Sequence, residues 1–312
     1  MRNFSFGRVL APTEEGALFN FIASFYRPIG RCSGYLQFQM GGGLRAARAF
    51  NSPSYSYLKN LMETHYKTNN LVNVDPKTFK ERIDEFQKKL DWGHNHDFGD
   101  FYLKGTMADR HLAVIATFID SFKAFSPDSL RGKSVLDIGC WTGGMSLLLN
   151  VMGANVTAIE ERADAIDCVR FMIHAFNLTN FEALPLSLYD LTAPSFQDRF
   201  DFILFAGVLY HVTDLIMALR ITFNCLKDGG KCLLESAITD SDKPILAYWG
   251  PSILHRYNWF KPSPSAIRQM MIDVGYDEVD VQKARDLRAF AVGKRIAHKK
   301  MLRTGLSFRN IR

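Results

Sequence analysis

Short apolar runs alternate with helical stripes through the second half of the chain. The runs predict strands over Ser134–Ile138, Asn155–Glu160, Glu182–Leu186, Phe200–Ala206 and Lys231–Ser236, and the stripes predict helices over Met145–Met152, Ala163–Phe176 and Leu215–Leu226. Strands and helices that alternate at this pitch are typical of an α/β fold, in which helices cover both faces of a doubly wound parallel sheet.

The end of this region departs from the alternation. Ser263 and Pro264 are typical of a helix start, and Gly275 is typical of a helix end. Two further strands, Val279–Val281 and Arg288–Val292, follow and are joined by a short charged turn. They predict a closing hairpin, and therefore a seven-stranded Rossmann-like sheet that is mostly parallel with its last strand antiparallel.

Helices are also predicted before the sheet. Pro76–Leu90 has apolar residues at helical spacing behind the N-cap candidate Asp75, and a second helix is predicted over Ala108–Ala124. The aromatic segment Trp92–Lys104 between them is interpreted as a loop. We expect four regions, namely an N-terminal arm over 1–55, a helical cap or lid over 56–125, the α/β domain over 126–295 and a basic tail over 296–312.

Charge is unevenly distributed along the 312 residues. The net charge is +6, and seven basic residues but no acidic one lie between Lys294 and Arg312. This tail predicts either attraction to nucleic acid or an anionic surface, or a solvated helix. The arginine-rich, acid-poor start of the chain is typical of a transit peptide for organellar import, or of a flexible arm.

The spacing of the cysteines and the lengths of the apolar stretches bear on the cellular compartment of the protein. The five cysteines are scattered, without a CxxC pair or zinc-ligand spacing, which predicts a reducing compartment such as the cytoplasm and no metal site. No apolar stretch approaches the ~20 residues of a membrane helix, so no membrane association is expected. The oligomeric state is left open by the sequence.

A glycine-containing turn follows the first predicted strand of the sheet. Residues 137–144 read Asp-Ile-Gly-Cys-Trp-Thr-Gly-Gly, at a strand end where doubly wound sheets bind ligands. A dinucleotide site needs the spacing G-x-G-x-x-G around a diphosphate. Here Gly139 and Gly143 are four residues apart, and the carboxylate of Asp137 would repel a diphosphate. That carboxylate favours a ligand with an ammonium and a sulfonium group, such as S-adenosylmethionine.

Two further strand ends extend this candidate cofactor site. Glu160 ends the second strand and is suited to accept hydrogen bonds from both ribose hydroxyls, with Glu161 as an alternative. Ser187 and the amide of Leu188 are candidates for contacting adenine. The predicted cofactor-binding residues are Asp137, Gly139, Cys140, Trp141, Gly143, Glu160, Ser187, Leu188 and Ala206.

The region from Gly132 to Val292 resembles the class I S-adenosylmethionine-dependent methyltransferases, most strongly at Val135–Gly144. The segment Phe-Ala-Gly-Val-Leu-Tyr-His at 205–211, Trp141 and the segment Asn258–Ala266 resemble the tRNA wobble-uridine carboxymethyltransferase group. The resemblance implies S-adenosylmethionine as the cofactor and an enzyme that transfers its methyl group.

The resemblance to the wobble-uridine group fails just before the sheet. That group carries a Trp- and Lys-rich segment that holds the extra carboxylate of carboxy-S-adenosylmethionine, whereas Lys104–Arg110 here has Met107 and small residues at those positions. Tyr210 is kept. We therefore expect plain S-adenosylmethionine and methyl transfer.

Candidate catalytic residues follow the fourth predicted strand, and candidate acceptor-binding residues lie in the segment before the sheet and in the loop after the fifth strand. His211 is the candidate general base, since histidine titrates near neutral pH, and Tyr210 is a candidate for orienting the donor. The candidate acceptor-binding residues are Lys104, Arg110, His111, Trp249 and Tyr257. Each has an alternative interpretation as a structural, solvated or core residue.

Three functions remain open at this point. The first is methyl transfer to an O, N or S nucleophile of a small-molecule acceptor, which the nearly balanced charge of the α/β domain favours. The second is modification of tRNA at the wobble uridine, which the basic tail and the resemblance favour. The third, and the one least compatible with an intact motif, is a protein that binds S-adenosylmethionine without catalysis.

Overall fold

Seven strands form the central sheet of the protein, whose computed structural model describes residues 52–250, 252–253 and 257–296. In chain order the strands are β3 (Ser134–Ile138), β4 (Asn155–Ile159), β5 (Phe181–Leu184), β6 (Phe200–Ala206), β7 (Leu226–Ala237), β10 (Asp277–Lys283) and β11 (Arg288–Lys294). Their spatial order is β10-β11-β7-β6-β3-β4-β5. Six of these strands run in one direction, and β11 runs in the opposite one. The predicted seven-stranded doubly wound sheet is therefore confirmed.

Helices cover both faces of this sheet. Among the described residues, three α-helices precede it, α1 (Pro53–His65), α2 (Pro76–Lys89) and α3 (Arg110–Asp120), and four are inserted among its strands, α4 (Gly144–Val151), α5 (Ala163–Ala175), α6 (Leu215–Cys225) and α7 (Pro264–Val274). One apolar core packs the first five helices, α1 through α5, against one face of the sheet. A second core packs α6 and α7 against the other face. The expected cap helices thus share the core of the sheet, and the described residues belong to one compact unit.

The helix ends follow from local chemistry. The carboxylate of Asp75 accepts hydrogen bonds from the Lys77 and Thr78 amides, and the hydroxyl of Ser263 accepts one from the Ala266 amide. Both caps satisfy amides that a helix start leaves without an acceptor, and in both the next residue is a proline. These two predicted helix starts are confirmed.

Two short hairpins occur where loops were expected. β1 (His96–Asp97) pairs with β2 (Tyr102–Leu103), and β8 (Leu246–Tyr248) pairs with β9 (Phe260–Pro262). Strands of two or three residues are too short to leave an apolar alternation in the sequence. The β8–β9 hairpin is the larger correction, because it places the aromatic segment after β7 beside the carboxyl ends of the sheet strands.

Several expectations concern residues outside the described ranges. Most of the expected arm and nearly all of the basic tail lie there, although α1 begins at Pro53, before the expected boundary at residue 55. The four-region division stays a prediction. Among the described helices, none combines the length and apolar character that crossing a bilayer requires.

Candidate functional site

The turn after β3 brings the backbone close to the neighbouring strand end. Gly139 has φ +71°, and a Cβ atom there would lie 2.6 Å from Cγ2 of Val208, which follows β6. Gly143 has φ +77° and is the N-cap of α4. A side chain at either position would be strained, and at Gly139 it would also collide. The predicted need for glycine therefore has a direct steric cause.

Asp137 lies on β3 just before this turn and is buried. The Ser146 hydroxyl, on α4, donates a 2.5 Å hydrogen bond to its carboxylate. Burial raises the pKa of Asp137 to about 7; the bond from Ser146 opposes this shift, and the negative charge of Glu160 adds to it. A cation placed beside Asp137 would favour its charged form and pull the pKa down again.

The two acidic residues after β4 point to different partners. Oε2 of Glu160 accepts a 3.2 Å hydrogen bond from the Trp141 amide, so this carboxylate adjoins the glycine turn. Glu161 instead accepts a 2.7 Å hydrogen bond from the hydroxyl of Ser187. This arrangement favours Glu160 over Glu161 for a ribose, and it brings Ser187 to the same end of the sheet.

The remaining candidate cofactor residues shape the site by packing. Burial raises the pKa of the Cys140 thiol well above its usual range, so the thiol is neutral. Leu188 is buried and begins a short 3-10 turn, where a backbone amide has no acceptor within the turn. Ala206 ends β6 and is paired with Glu235 of β7. The candidate cofactor residues therefore lie along the carboxyl ends of β3 to β6.

Tyr210 and His211 lie in the short turn after β6. Their ring centroids are 4.1 Å apart, and Nδ1 of His211 lies 2.5 Å from the carbonyl oxygen of Tyr257. If Nδ1 carries the proton, it donates to this carbonyl and Nε2 is left as the basic nitrogen. Burial lowers the pKa of His211, the bond to Tyr257 opposes this and the charge of Arg288 adds to it, which favours a neutral ring.

A buried ion-pair cluster lies next to Tyr210. The carboxylate of Glu235, which is 1% exposed, accepts a 2.7 Å hydrogen bond from Nη2 of Arg110. Arg288 donates to both oxygens of the same carboxylate, and its guanidinium lies 4.9 Å from the Tyr210 ring centroid. Burial would raise the pKa of Glu235, but the hydrogen bonds and charges of Arg288 and Arg110 hold it below its usual range. Two cations therefore share one anion.

The sequence analysis named Arg110 but missed Glu235 and Arg288. Arg110 and Glu235 are 125 positions apart in the sequence, and Arg288 is 53 positions beyond Glu235. The available signal was an acidic residue directly after the apolar run Cys232–Leu234 of β7, as Glu235 is, because a carboxylate is rarely buried without a partner.

The other candidate acceptor-binding residues are dispersed. His111 is 2% exposed and packs against the buried rings of His94 and His96, so it lies in the interior and its expected contact with an acceptor has no support here. Lys104 is exposed, and Tyr257 is 72% exposed. Trp249 is half-buried beside Lys261. Among the described residues, no three His, Cys, Asp or Glu side chains are placed to hold a metal ion.

Comparisons with known proteins identify related sequences. A family model described as a methyltransferase domain matches residues 109–281, more than half of the chain. A tRNA U34 carboxymethyltransferase of Azotobacter vinelandii is 32% identical over 153 residues, which is 48% of this chain and 47% of that protein. The protein with the same description from Desulfotalea psychrophila is 30% identical over 159 residues, or 50% and 48%. The chain thus spans about half the length of the curated relatives it matches.

A similar fold occurs among solved structures. The N-terminal domain of EvdMO1, crystallised with SAH bound, superimposes with a TM-score of 0.54 at 17% identity, over 71% of this chain and 98% of that one. Identity this low bears on the fold alone. It agrees with the strand order and with the single antiparallel strand described above.

Proposed function

The chain belongs to the methyltransferase-domain family, with the class I fold that uses S-adenosylmethionine as its cofactor, and from this premise we propose that it transfers a methyl group to an O, N or S nucleophile of a small-molecule acceptor. The observation that carries the proposal is the turn after β3, where a buried carboxylate, a glycine without room for a Cβ atom and the Glu160 carboxylate adjoin one another.

The residues at this turn fit such a cofactor. Asp137 would face the cationic part of the cofactor, Glu160 would accept hydrogen bonds from the ribose, and Ser187 and Leu188 would contact adenine. Gly139 leaves the backbone open to close approach, and Cys140, Trp141, Gly143 and Ala206 complete the proposed set. When bound, S-adenosylmethionine supplies an already activated methyl group.

The protein's own task is then alignment and proton removal. We place His211 as the general base, because donation from Nδ1 to the Tyr257 carbonyl leaves Nε2 able to accept a proton. Tyr210 is held by the cation–π contact from Arg288 and is proposed to orient the reacting groups. Lys104, Arg110, Trp249 and Tyr257 stay candidates for binding the acceptor.

A matched pair of glycine substitutions tests the cofactor site. Gly139→Ala should abolish S-adenosylmethionine binding in titration calorimetry, because its Cβ would meet Val208 at 2.6 Å. Gly132→Ala is the control, since Gly132 has nearly the same φ, +72°, but nothing within 4 Å of an added Cβ. Equal affinity of the two variants would remove the site assignment, and circular dichroism checks that both fold.

A second candidate acceptor is tRNA. It is favoured by the description of the relatives as tRNA U34 carboxymethyltransferases and by the basic residues at the end of the chain. Incubation with labelled S-adenosylmethionine and either bulk tRNA or a metabolite extract freed of RNA distinguishes the two. Label in the tRNA, abolished by ribonuclease, would replace the small-molecule proposal.

A cytoplasmic location stays a proposal that rests on the scattered cysteines.

A further inference from the structure

Lys261, on β9, holds its ammonium group against an aromatic face. The amide of Trp259, two residues before Lys261, donates a 2.9 Å hydrogen bond to the carbonyl of Tyr210, so this hairpin adjoins the proposed acceptor side. Its Nζ lies 3.4 Å from the ring centroid of Trp249, and the two residues are brought together by the hairpin, in which Lys261 pairs with Ala247. The Trp249 amide also donates a 2.7 Å hydrogen bond to the carbonyl of Trp259. The hairpin backbone therefore fixes both partners of this cation–π contact, which restricts the ammonium to one place.

Lys261 is also the cation that is left without an anion. Among the described residues, no carboxylate lies within ion-pair distance of it, and the charge that acts on it is the positive one of Arg288. The guanidinium of Arg288 and that of Arg110 are both committed to Glu235. Burial and then Arg288 lower the pKa of Lys261, as expected where a half-buried ammonium has no counter-ion.

The local charge count sets the chemistry of a ligand. Arg110 and Arg288 share the single carboxylate of Glu235, and Lys261, on which the charge of Arg288 acts, is a third cation, so these four residues carry an excess of two positive charges. A half-buried cation excess of this kind attracts an anion, and an ammonium with free N–H donors binds carboxylate or phosphate oxygens. The Trp249 ring beside it would contact the apolar part of the same molecule.

We propose that Lys261, positioned by Trp249, is the specificity-determining anchor for an anionic group, a carboxylate or a phosphate, on the small-molecule acceptor. The proposal rests on the proposed function, because it assigns the acceptor to the side of the sheet where Tyr210 and His211 lie. It makes Lys261 a binding residue and gives it no part in proton transfer.

The test is calorimetric titration of two probes, benzoate and inorganic phosphate, into the protein saturated with S-adenosylhomocysteine at constant ionic strength. We expect one or both anions to bind the natural protein and to bind Lys261→Met at least tenfold more weakly. Lys261→Arg keeps the charge and should stay within about threefold of the natural protein. Lys243→Met is the matched control, since it removes an exposed lysine from the loop before β8 and should change nothing.

Three outcomes would overturn the inference. These are unchanged anion affinity in Lys261→Met, no binding of either anion to the natural protein, and an equal loss in Lys243→Met, which would indicate a general effect of net charge. An anticodon stem-loop RNA that binds while both small anions fail would also overturn it, in favour of RNA. S-adenosylhomocysteine affinity is measured separately, so a failed cofactor site is distinguished from a failed anion site.

Discussion

Replacing Asp137 by asparagine should change how the stability of the protein depends on pH. The pKa of Asp137 is raised from 3.8 to about 7, so its ionisation is disfavoured in the folded state only. A group with a raised folded pKa loses its stabilising contribution as pH rises from the unfolded towards the folded value. Roughly three pKa units at 1.36 kcal/mol each make this loss about 4 kcal/mol by pH 8.

Asparagine cannot ionise, so the free energy of unfolding of Asp137→Asn does not fall in this way as the pH rises. Its carbonyl can still accept the hydrogen bond from Ser146, while its buried amide group lacks an acceptor and costs about 1–3 kcal/mol at every pH. The cost of the amide group is the same at every pH, so the change of stability with pH is diagnostic. Relative to the natural protein, Asp137→Asn should gain about 2–3 kcal/mol in free energy of unfolding between pH 5 and pH 8.

Urea unfolding without cofactor, at unit pH steps from 5 to 8, measures this difference. Asp201→Asn is the control, because Lys227 and the Ser134 amide hold the pKa of Asp201 below its usual value despite burial that opposes them. Asp201 is therefore ionised throughout, and its variant should run parallel to the natural protein. A parallel curve for Asp137→Asn would refute the argument that burial destabilises this carboxylate.

Two further predictions concern the acceptor side. His211→Ala should lower turnover at saturating S-adenosylmethionine by about 10²–10⁴-fold while leaving cofactor affinity within twofold, and an unchanged rate would exclude His211 as the base. Glu235→Gln should lower the free energy of unfolding by about 3–5 kcal/mol, because it leaves the largely buried guanidinium of Arg288 and the partly exposed one of Arg110 without a charged partner. The control Glu182→Gln removes an exposed ion pair with Arg199 and should cost less than about 1 kcal/mol in the same urea titration.

The sheet and the turn at its proposed cofactor-binding end could be predicted from the sequence because short patterns of neighbouring residues determine them. β3 and β6 begin and end where the apolar runs do, at Ser134–Ile138 and Phe200–Ala206. The glycines at 139 and 143 mark a turn whose φ angles, +71° and +77°, other residues rarely adopt. A strand's burial and a turn's backbone angles depend on a few adjacent residues, so a short window of sequence determines them.

Partners distant in sequence were decided by the tertiary structure alone. Glu235, Arg110 and Arg288 meet because the carboxyl end of β7 pairs with the start of β11 and the first residue of α3 reaches the same place, which no local pattern encodes. The burial of His111 and the contact between Lys261 and Trp249 have the same origin. Local sequence therefore determined which segments become strands, helices and turns, whereas the order in which strands pair determined which charges face one another, since a charge acts on its neighbours in space and not on its neighbours in the chain.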